Sequence, residues 1–326
     1  MEEFEMLFQS IFRNDKGTIY SLPENKFRDL FRVFDTDDDG FITKEEFSHC
    51  WENWIKIVIS PTSAFLIVDV QNDFILGSLN VSEQPANQNP EEIIRPINHL
   101  LDFVSFDTVF YSLDWHPPNH MSFIDNIHQY EFDPSSPVTV NEAKLYDTVI
   151  YSGNPPIRQK LWPKHCIQNG WGAQLHDNLI VLDDAIKIYK GTYPTVESYS
   201  AFWDNNKLNQ TELYNYLKEK NITDLYICGV AYDVCVYATA LDSIEFGYRT
   251  IVIDDCCRGM DLNAIEEAKN DILKNNGIII NSHEVKAMVE GRDRKPELGY
   301  YLAMQLKVSN NDRQLESHMT KSLINT

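Results

Sequence analysis

The chain has 326 residues, enough for one large domain or one domain plus a small module, and 43% hydrophobic content supports a full core. A net charge of −21 argues against nucleic acid and anionic membrane as partners, because both reward clustered Lys and Arg. No apolar run reaches bilayer length, the acidic start MEEFEMLFQS is no secretory signal, and Cys50, Cys166, Cys228, Cys235, Cys256 and Cys257 form no CxxC pair, so reduced thiols in the cytosol or nucleus are expected.

Residues 2–13 place Phe4, Leu7, Phe8, Ile11 and Phe12 on one face of a short helix, and a second helical pattern ends at Phe34. The loop DTDDDGFITKEE follows. It sets Asp35, Asp37 and Asp39 at positions 1, 3 and 5, Gly40 at 6, the Phe41 carbonyl at 7, Thr43 at 9 and Glu46 at 12. Hard oxygen ligands at this spacing wrap one Ca²⁺, glycine permits the sharp turn, and Glu46 can bind through both oxygens. A helix, EFSHCWENWIKIV, completes the resemblance to an EF-hand. A solvated acidic turn is the alternative, and the filled ligand ladder disfavours it. The upstream NDKGTIYS reads as a degenerate partner loop without that ladder, so no metal is expected there.

Pro61 marks the expected end of an EF-hand module over 1–60. From Ala64 the pattern changes to short continuous apolar runs at 64–68, 107–113, 185–189, 224–228, 250–253 and 277–280. Helical patterns at 91–104, 210–220, 233–247, 261–275 and 283–290 alternate with them. Such alternation predicts an α/β domain over 61–307, a mostly parallel doubly wound sheet with helices on both faces. The interval 119–183 is rich in Pro, Asn and Asp and reads as long functional loops; 308–326 reads as a polar, mobile tail.

Ligands on such sheets bind beyond the carboxyl ends of the strands. The residues there are Asp69 in DVQNDF, Asp114 in SLDWHPPNH, Lys190 in KGTYPTVESYSAF, and Cys235, where a strand hands over to a helix. A helix start favours a thiolate through unpaired N–H groups and the helix dipole, although a lone cysteine is more often an inert apolar residue. An acid, a lysine and a thiol on one rim make a nucleophilic site. Asp114 and His116, with His120 and His165 as further candidates, suit Zn²⁺ or a similar divalent ion, though spacing alone does not join His165 to the pair.

DVQNDF, DWHPPNHxSF, WPKHC, KGTY…YSAF and GVAYDVCV, in this order, resemble the nicotinamidase/pyrazinamidase branch of the isochorismatase-like cysteine hydrolases over about residues 64–290. The EF-hand in front makes the whole chain similar to animal nicotinamidases that carry one. The resemblance implies a catalytic triad of Asp69, Lys190 and Cys235 and metal ligands Asp114, His116 and His165, with His120 ligating in only some members. It implies a non-proline cis peptide at Val230–Ala231 that aims the Ala231 N–H, with that of Cys235, into an oxyanion hole. Phe74, Trp162 and Tyr199 match walls for a planar ring. Tyr232 stands where many relatives have Thr, which is expected to reshape the pocket lip.

The activity implied is hydrolysis of nicotinamide to nicotinate and ammonia through a cysteine thioester, in NAD salvage, with pyrazinamide as a further substrate. A divalent transition metal, most simply Zn²⁺, would receive the pyridine nitrogen, and Ca²⁺ would occupy the EF-hand. Partners are then a small-molecule substrate and a second copy in a homo-oligomer. Two alternatives stand beside this reading. One is a related cysteine hydrolase acting on an isochorismate-like ether, a ureido acid or an N-carbamoyl compound. The other is a calcium-dependent binding protein on an inactive hydrolase scaffold.

Overall fold

The computed structural model describes residues 2–307; the expected tail at 308–326 lies outside the described residues. Its α-helices are α1 (Glu2–Ile11), α2 (Glu24–Phe34), α3 (Lys44–Cys50), α4 (Lys56–Ile59), α5 (Asn72–Ile75), α6 (Ile94–Phe103), α7 (Leu213–Glu219), α8 (Tyr237–Glu245), α9 (Leu262–Lys274) and α10 (Ser282–Val289). Residues 296–307 are also helical, with Pro296 in the first turn, where its missing N–H costs nothing. The strands are β1 (Ser63–Val68), β2 (Thr108–Asp114), β3 (Thr148–Tyr151), β4 (Ile157–Lys160), β5 (Ile186–Lys190), β6 (Asp224–Val230), β7 (Arg249–Arg258) and β8 (Ile278–Ile280). None of the described helices is long and apolar enough to cross a membrane.

Six strands form one parallel sheet in the order β5-β2-β1-β6-β7-β8. The central strands β1, β2 and β6 are buried along their whole length, as the continuous apolar runs require of strands covered on both faces. The chain builds outward from β1 to β2 and β5, then returns to β6 and builds outward the other way. The strand order therefore reverses between β1 and β6, the point beyond whose carboxyl ends such sheets bind ligands. Register brings the site residues to one level. Val68, just before Asp69, pairs with Ser112 and with Gly229, while Asp114 pairs with Lys190.

The 119–183 interval holds structure that its composition hides. β3 and β4 form an antiparallel hairpin over a small core of Met121, Ile127, Val149, Tyr151 and Leu161. Its strands are only four residues each, too short to announce themselves between Pro- and Asn-rich turns. β4 leads directly into Trp162 and His165.

The N-terminal module packs around Trp54, which is fully buried with Phe34 at 5.2 Å, Phe12 at 5.7 Å and Phe4 at 6.3 Å between ring centroids. α3 is started by a capping box in which Thr43 and Glu46 bond each other's backbone N–H. It runs through a π turn, Trp51–Ile55, into α4, so one rod connects the acidic loop to β1. The expected 61–307 unit does not share one core. Ala303 is buried in the N-terminal cluster, with Tyr300, Leu302, Met304 and Leu306 packed against it.

Gly229 stands at φ +120°, and a Cβ there would lie 2.0 Å from the Val68 carbonyl oxygen of the neighbouring strand. Gly229→Ala is expected to cost roughly 3 kcal/mol or more, through an L-residue in glycine-only backbone and a strand forced apart. The urea midpoint measures it, and a shift worth under about 1 kcal/mol would show that β1 and β6 separate without resistance.

Candidate active site

Asp69 follows β1 with left-handed backbone, φ +51°, and is fully buried. Its Oδ1 accepts from the Ser112 hydroxyl at 2.7 Å, and its Oδ2 lies 2.8 Å from Lys190 Nζ. Lys190 is equally buried. Its ammonium donates to Asp114 Oδ1 at 2.5 Å and to the Ser198 carbonyl at 3.0 Å, and stands 3.5 Å from Cys235 Sγ. One cation thus holds two carboxylates and the sulfur, and the polar atoms of Asp69, Asp114 and Cys235 lie within 4.8 Å of one another.

Burial alone would lower the Lys190 pKa, but Asp114, Asp69 and Cys235 outweigh it and raise it well above normal. Burial raises the Asp69 carboxyl, opposed by Lys190 and reinforced by Asp114. Cys235 is also raised well above normal, chiefly by burial, with Lys190 opposing and the two aspartates reinforcing. The pull of the helix start toward a thiolate is outweighed here. Cys235 sits in a buried π turn, Tyr232–Val236, beside two carboxylates, and burial and like charge oppose its ionisation. The same crowding makes Asp69 a better proton acceptor than an exposed aspartate.

The peptide bond Val230–Ala231 is cis, and the Ala231 carbonyl accepts from the N–H groups of Val234 and Val236, both at 3.1 Å, closing the turn that presents Cys235. Asp233 accepts from the N–H groups of Met260 and Asp261 at 2.9 and 3.0 Å and ties this turn to the end of β7.

Asp114, His116 and His165 bring one ligand atom each within 4.8 Å of one another. His116 Nε2 is 3.5 Å and His165 Nε2 is 3.7 Å from Asp114 Oδ2. His116 Nδ1 donates to the Gly191 carbonyl at 2.9 Å, and His165 Nδ1 to the Pro163 carbonyl at 2.8 Å. Each imidazole is thereby turned with its Nε2 lone pair toward the shared point, and His116 Nε2 is buried without any hydrogen-bond partner. Burial favours neutral His116, but Asp114 and Glu197 outweigh it and push it up to about 9, so the point attracts positive charge. An orphaned imidazole nitrogen and a carboxylate aimed at one point fit a divalent metal ion.

His120 is not offered to that set. Its Nδ1 faces the Ser122 hydroxyl at 2.8 Å and its Nε2 the Val196 carbonyl at 3.1 Å, and burial pushes it down to about 4. It lies instead beside His116, ring centroids 4.2 Å apart, in a neighbouring group completed by Glu197. Sequence reasoning missed Glu197, whose carboxylate is buried 3.9 Å from His116 Nε2; its signal was an acid seven residues past Lys190 in the same motif. It also missed Gln71, whose amide accepts from Asp114 N–H at 2.9 Å and donates to the Asp114 carbonyl at 2.8 Å, locking that ligand's backbone.

Phe74 packs 5.5 Å from the His165 ring, and Trp162 Nε1 reaches the Tyr199 hydroxyl at 3.4 Å. Tyr232 is not at the pocket lip. It is buried toward β7 and α9, with Lys269 Nζ 5.4 Å from its ring centre and burial raising its phenol.

In the acidic loop Asp35, Asp37 and Asp39 place oxygens within 4.8 Å of one another around Gly40, whose φ is +86°. The Asp35 carboxylate is organised by the N–H groups of Asp39 and Gly40 at 3.1 and 3.0 Å. Glu46 accepts from Thr36 N–H at 2.6 Å and Thr43 N–H at 2.9 Å, bonds that lower its pKa to about 2. The Asp35, Asp37 and Asp39 cluster fits Ca²⁺, whereas Glu46 is not in it, because Thr36 and Thr43 engage both of its oxygens. In the upstream turn the Asn14 side-chain oxygen is already taken by Lys16 and Thr18 N–H.

Residues 63–284 match the family described as the isochorismatase domain, and residues 5–53 match the EF-hand domain pair. The chain is 37% identical to the nicotinamidase of Escherichia coli over 211 residues, 64% of this chain and 88% of that protein. It resembles the solved Acinetobacter nicotinamidase/pyrazinamidase with a TM-score of 0.58 at 35% identity, covering 69% of this chain and 98% of the other. It also resembles the pyrazinamidase of Pyrococcus horikoshii in complex with zinc, with a TM-score of 0.50 at 28% identity, covering 68% and 99%.

Two outcomes follow from this geometry. At Gly191, φ +64°, an added Cβ would lie 2.4 Å from His116 Cε1, so Gly191→Ala is expected to push the ring off its point. Metal affinity should fall roughly 10–100-fold while far-UV CD stays unchanged, read by chelator competition. Lys190→Met leaves two buried carboxylates without their cation and should cost roughly 3–5 kcal/mol. A carboxyl whose folded pKa exceeds its unfolded value gains stability as pH falls, so that deficit should be smaller at about pH 5 than at about pH 8. Equal deficits in urea titrations at the two pH values would contradict the assignment.

Proposed function

The chain belongs to the isochorismatase family, and from that premise we propose that it hydrolyses nicotinamide to nicotinate and ammonia, a reaction of NAD salvage. The observation that carries the reading is the meeting of Cys235, Asp69 and Lys190 with the Asp114, His116 and His165 set in one buried cluster. The nicotinamidase relatives are matched over most of their own length, which supports the same substrate.

Asp69 takes the thiol proton of Cys235 as the sulfur attacks the carboxamide carbon. The oxyanion faces the backbone N–H groups of Ala231 and Cys235. Asp69 then hands the proton to the departing nitrogen, the C–N bond breaks, and ammonia leaves a thioester on Cys235. Asp69 next accepts a proton from the attacking water; the C–S bond breaks, nicotinate leaves and the thiol is restored. Lys190 stays protonated throughout, so the anionic sulfur and the carboxylate are never left uncompensated. Phe74, Trp162 and Tyr199 supply flat apolar walls for the ring. When bound at Asp114, His116 and His165, a divalent cation supplies a Lewis-acid face for the pyridine nitrogen. One carboxylate and two backbone-anchored imidazoles suit zinc, the metal in the Pyrococcus relative.

Cys235→Ala is expected to lower ammonia release from nicotinamide by roughly 10³-fold or more with the fold retained. Turnover near wild type would sink the reading. A substrate panel with ureido and N-carbamoyl compounds separates it from the other hydrolase chemistry of the family, since only the carboxamides nicotinamide and pyrazinamide should release ammonia efficiently.

A further inference from the structure

Helix 296–307 touches both units of the molecule. On one side Leu298 belongs to the core of the sheet domain, and the Tyr301 hydroxyl donates to the Ile244 carbonyl in the last turn of α8. On the other side Ala303 is buried in the N-terminal core, and the Gly299 carbonyl accepts from Trp54 Nε1 at 2.7 Å. Gly299 is close enough to Phe12 that a Cβ would sit 2.3 Å from the ring. The segment leading in is also tied down: Asp293 accepts from the Tyr20 hydroxyl at 3.0 Å, and Arg294 N–H donates to the Arg13 carbonyl at 3.1 Å. A separate tie runs through Arg249 at the start of β7: its guanidinium, ion-paired with buried Asp224, donates to the Ile57 carbonyl of α4 at 3.1 Å.

These contacts join two places that matter. Trp54 stands on the same helical rod as Glu46 of the acidic loop. α8 begins immediately after the turn that presents Cys235, so Ile244 and Cys235 lie at opposite ends of one helical stretch. Units joined only by a linker unfold separately, whereas units that share buried side chains melt together, and a ligand of either then stabilises both.

We propose that helix 296–307 is a clasp that makes the 35–46 loop and α8 parts of one cooperative unit, so that calcium in the loop is felt at α8. Calorimetry of the full chain with and without calcium tests it, alongside hydrogen exchange of the α8 amides. One transition is expected, raised by roughly 4 °C at calcium about a hundredfold above its dissociation constant, with added protection across residues 237–245. Tyr301→Phe removes only the hydroxyl that reaches Ile244; it should keep the loop's calcium affinity and lose the added protection of α8. Two transitions of which calcium moves only one would overturn the proposal. So would an α8 response that is absent in the wild type or undiminished in Tyr301→Phe.

Discussion

The arrangement rests on one buried cation. Lys190 touches Asp69, Asp114 and Cys235 alike. A lysine taken out of water keeps its charge only when anions surround it, and two buried carboxylates stay apart from protons only when a cation lies between them. Each group therefore makes the others tenable. Asp114 faces two ways: one oxygen accepts from Lys190 and the other faces His116 and His165, so one residue joins the lysine cluster to the histidine pair.

That network costs stability, and the sheet supplies it. Continuous burial of β1, β2 and β6 provides the apolar area that offsets desolvating so many charges at their ends. Parallel register then fixes where the charges stand. Asp114 and Lys190 are paired partners across β2 and β5, and Ser112, one strand over from Asp69, holds its carboxylate. The strand order reverses between β1 and β6, where these ends meet.

Around this centre the long 119–183 interval serves as a wall. Its hairpin has a core of its own, which lets it carry Trp162 and His165 at fixed positions instead of on a loose loop. Its elements were illegible in the sequence, because four-residue strands between turn-forming residues show no period. Glu197 and Gln71 were illegible for another reason: a single acid or amide inside a loop motif has no pattern, and only its neighbours in space reveal what it holds.

Much was legible. Apolar runs announced every strand of the main sheet, and punctuation announced the acidic loop, because both depend on local period and on residue type at fixed offsets. The residues at strand ends could be named as Asp69, Asp114, Lys190 and Cys235 for the same reason. Tertiary structure decided what those residues are like. A helix start favours a thiolate, yet in the fold burial and two neighbouring carboxylates raise the Cys235 pKa. His120 is a further candidate ligand by resemblance, yet its nitrogens face Ser122 and Val196. Tyr232 reads as pocket lip, yet it points into the core. Residues 296–307 read only as the end of one domain, yet they form a helix whose Ala303 completes the N-terminal core. Spacing along a chain determines which residues reach an end or a face. Charge state, side-chain direction and partnership depend on groups that spacing does not connect, and only packing brings those together.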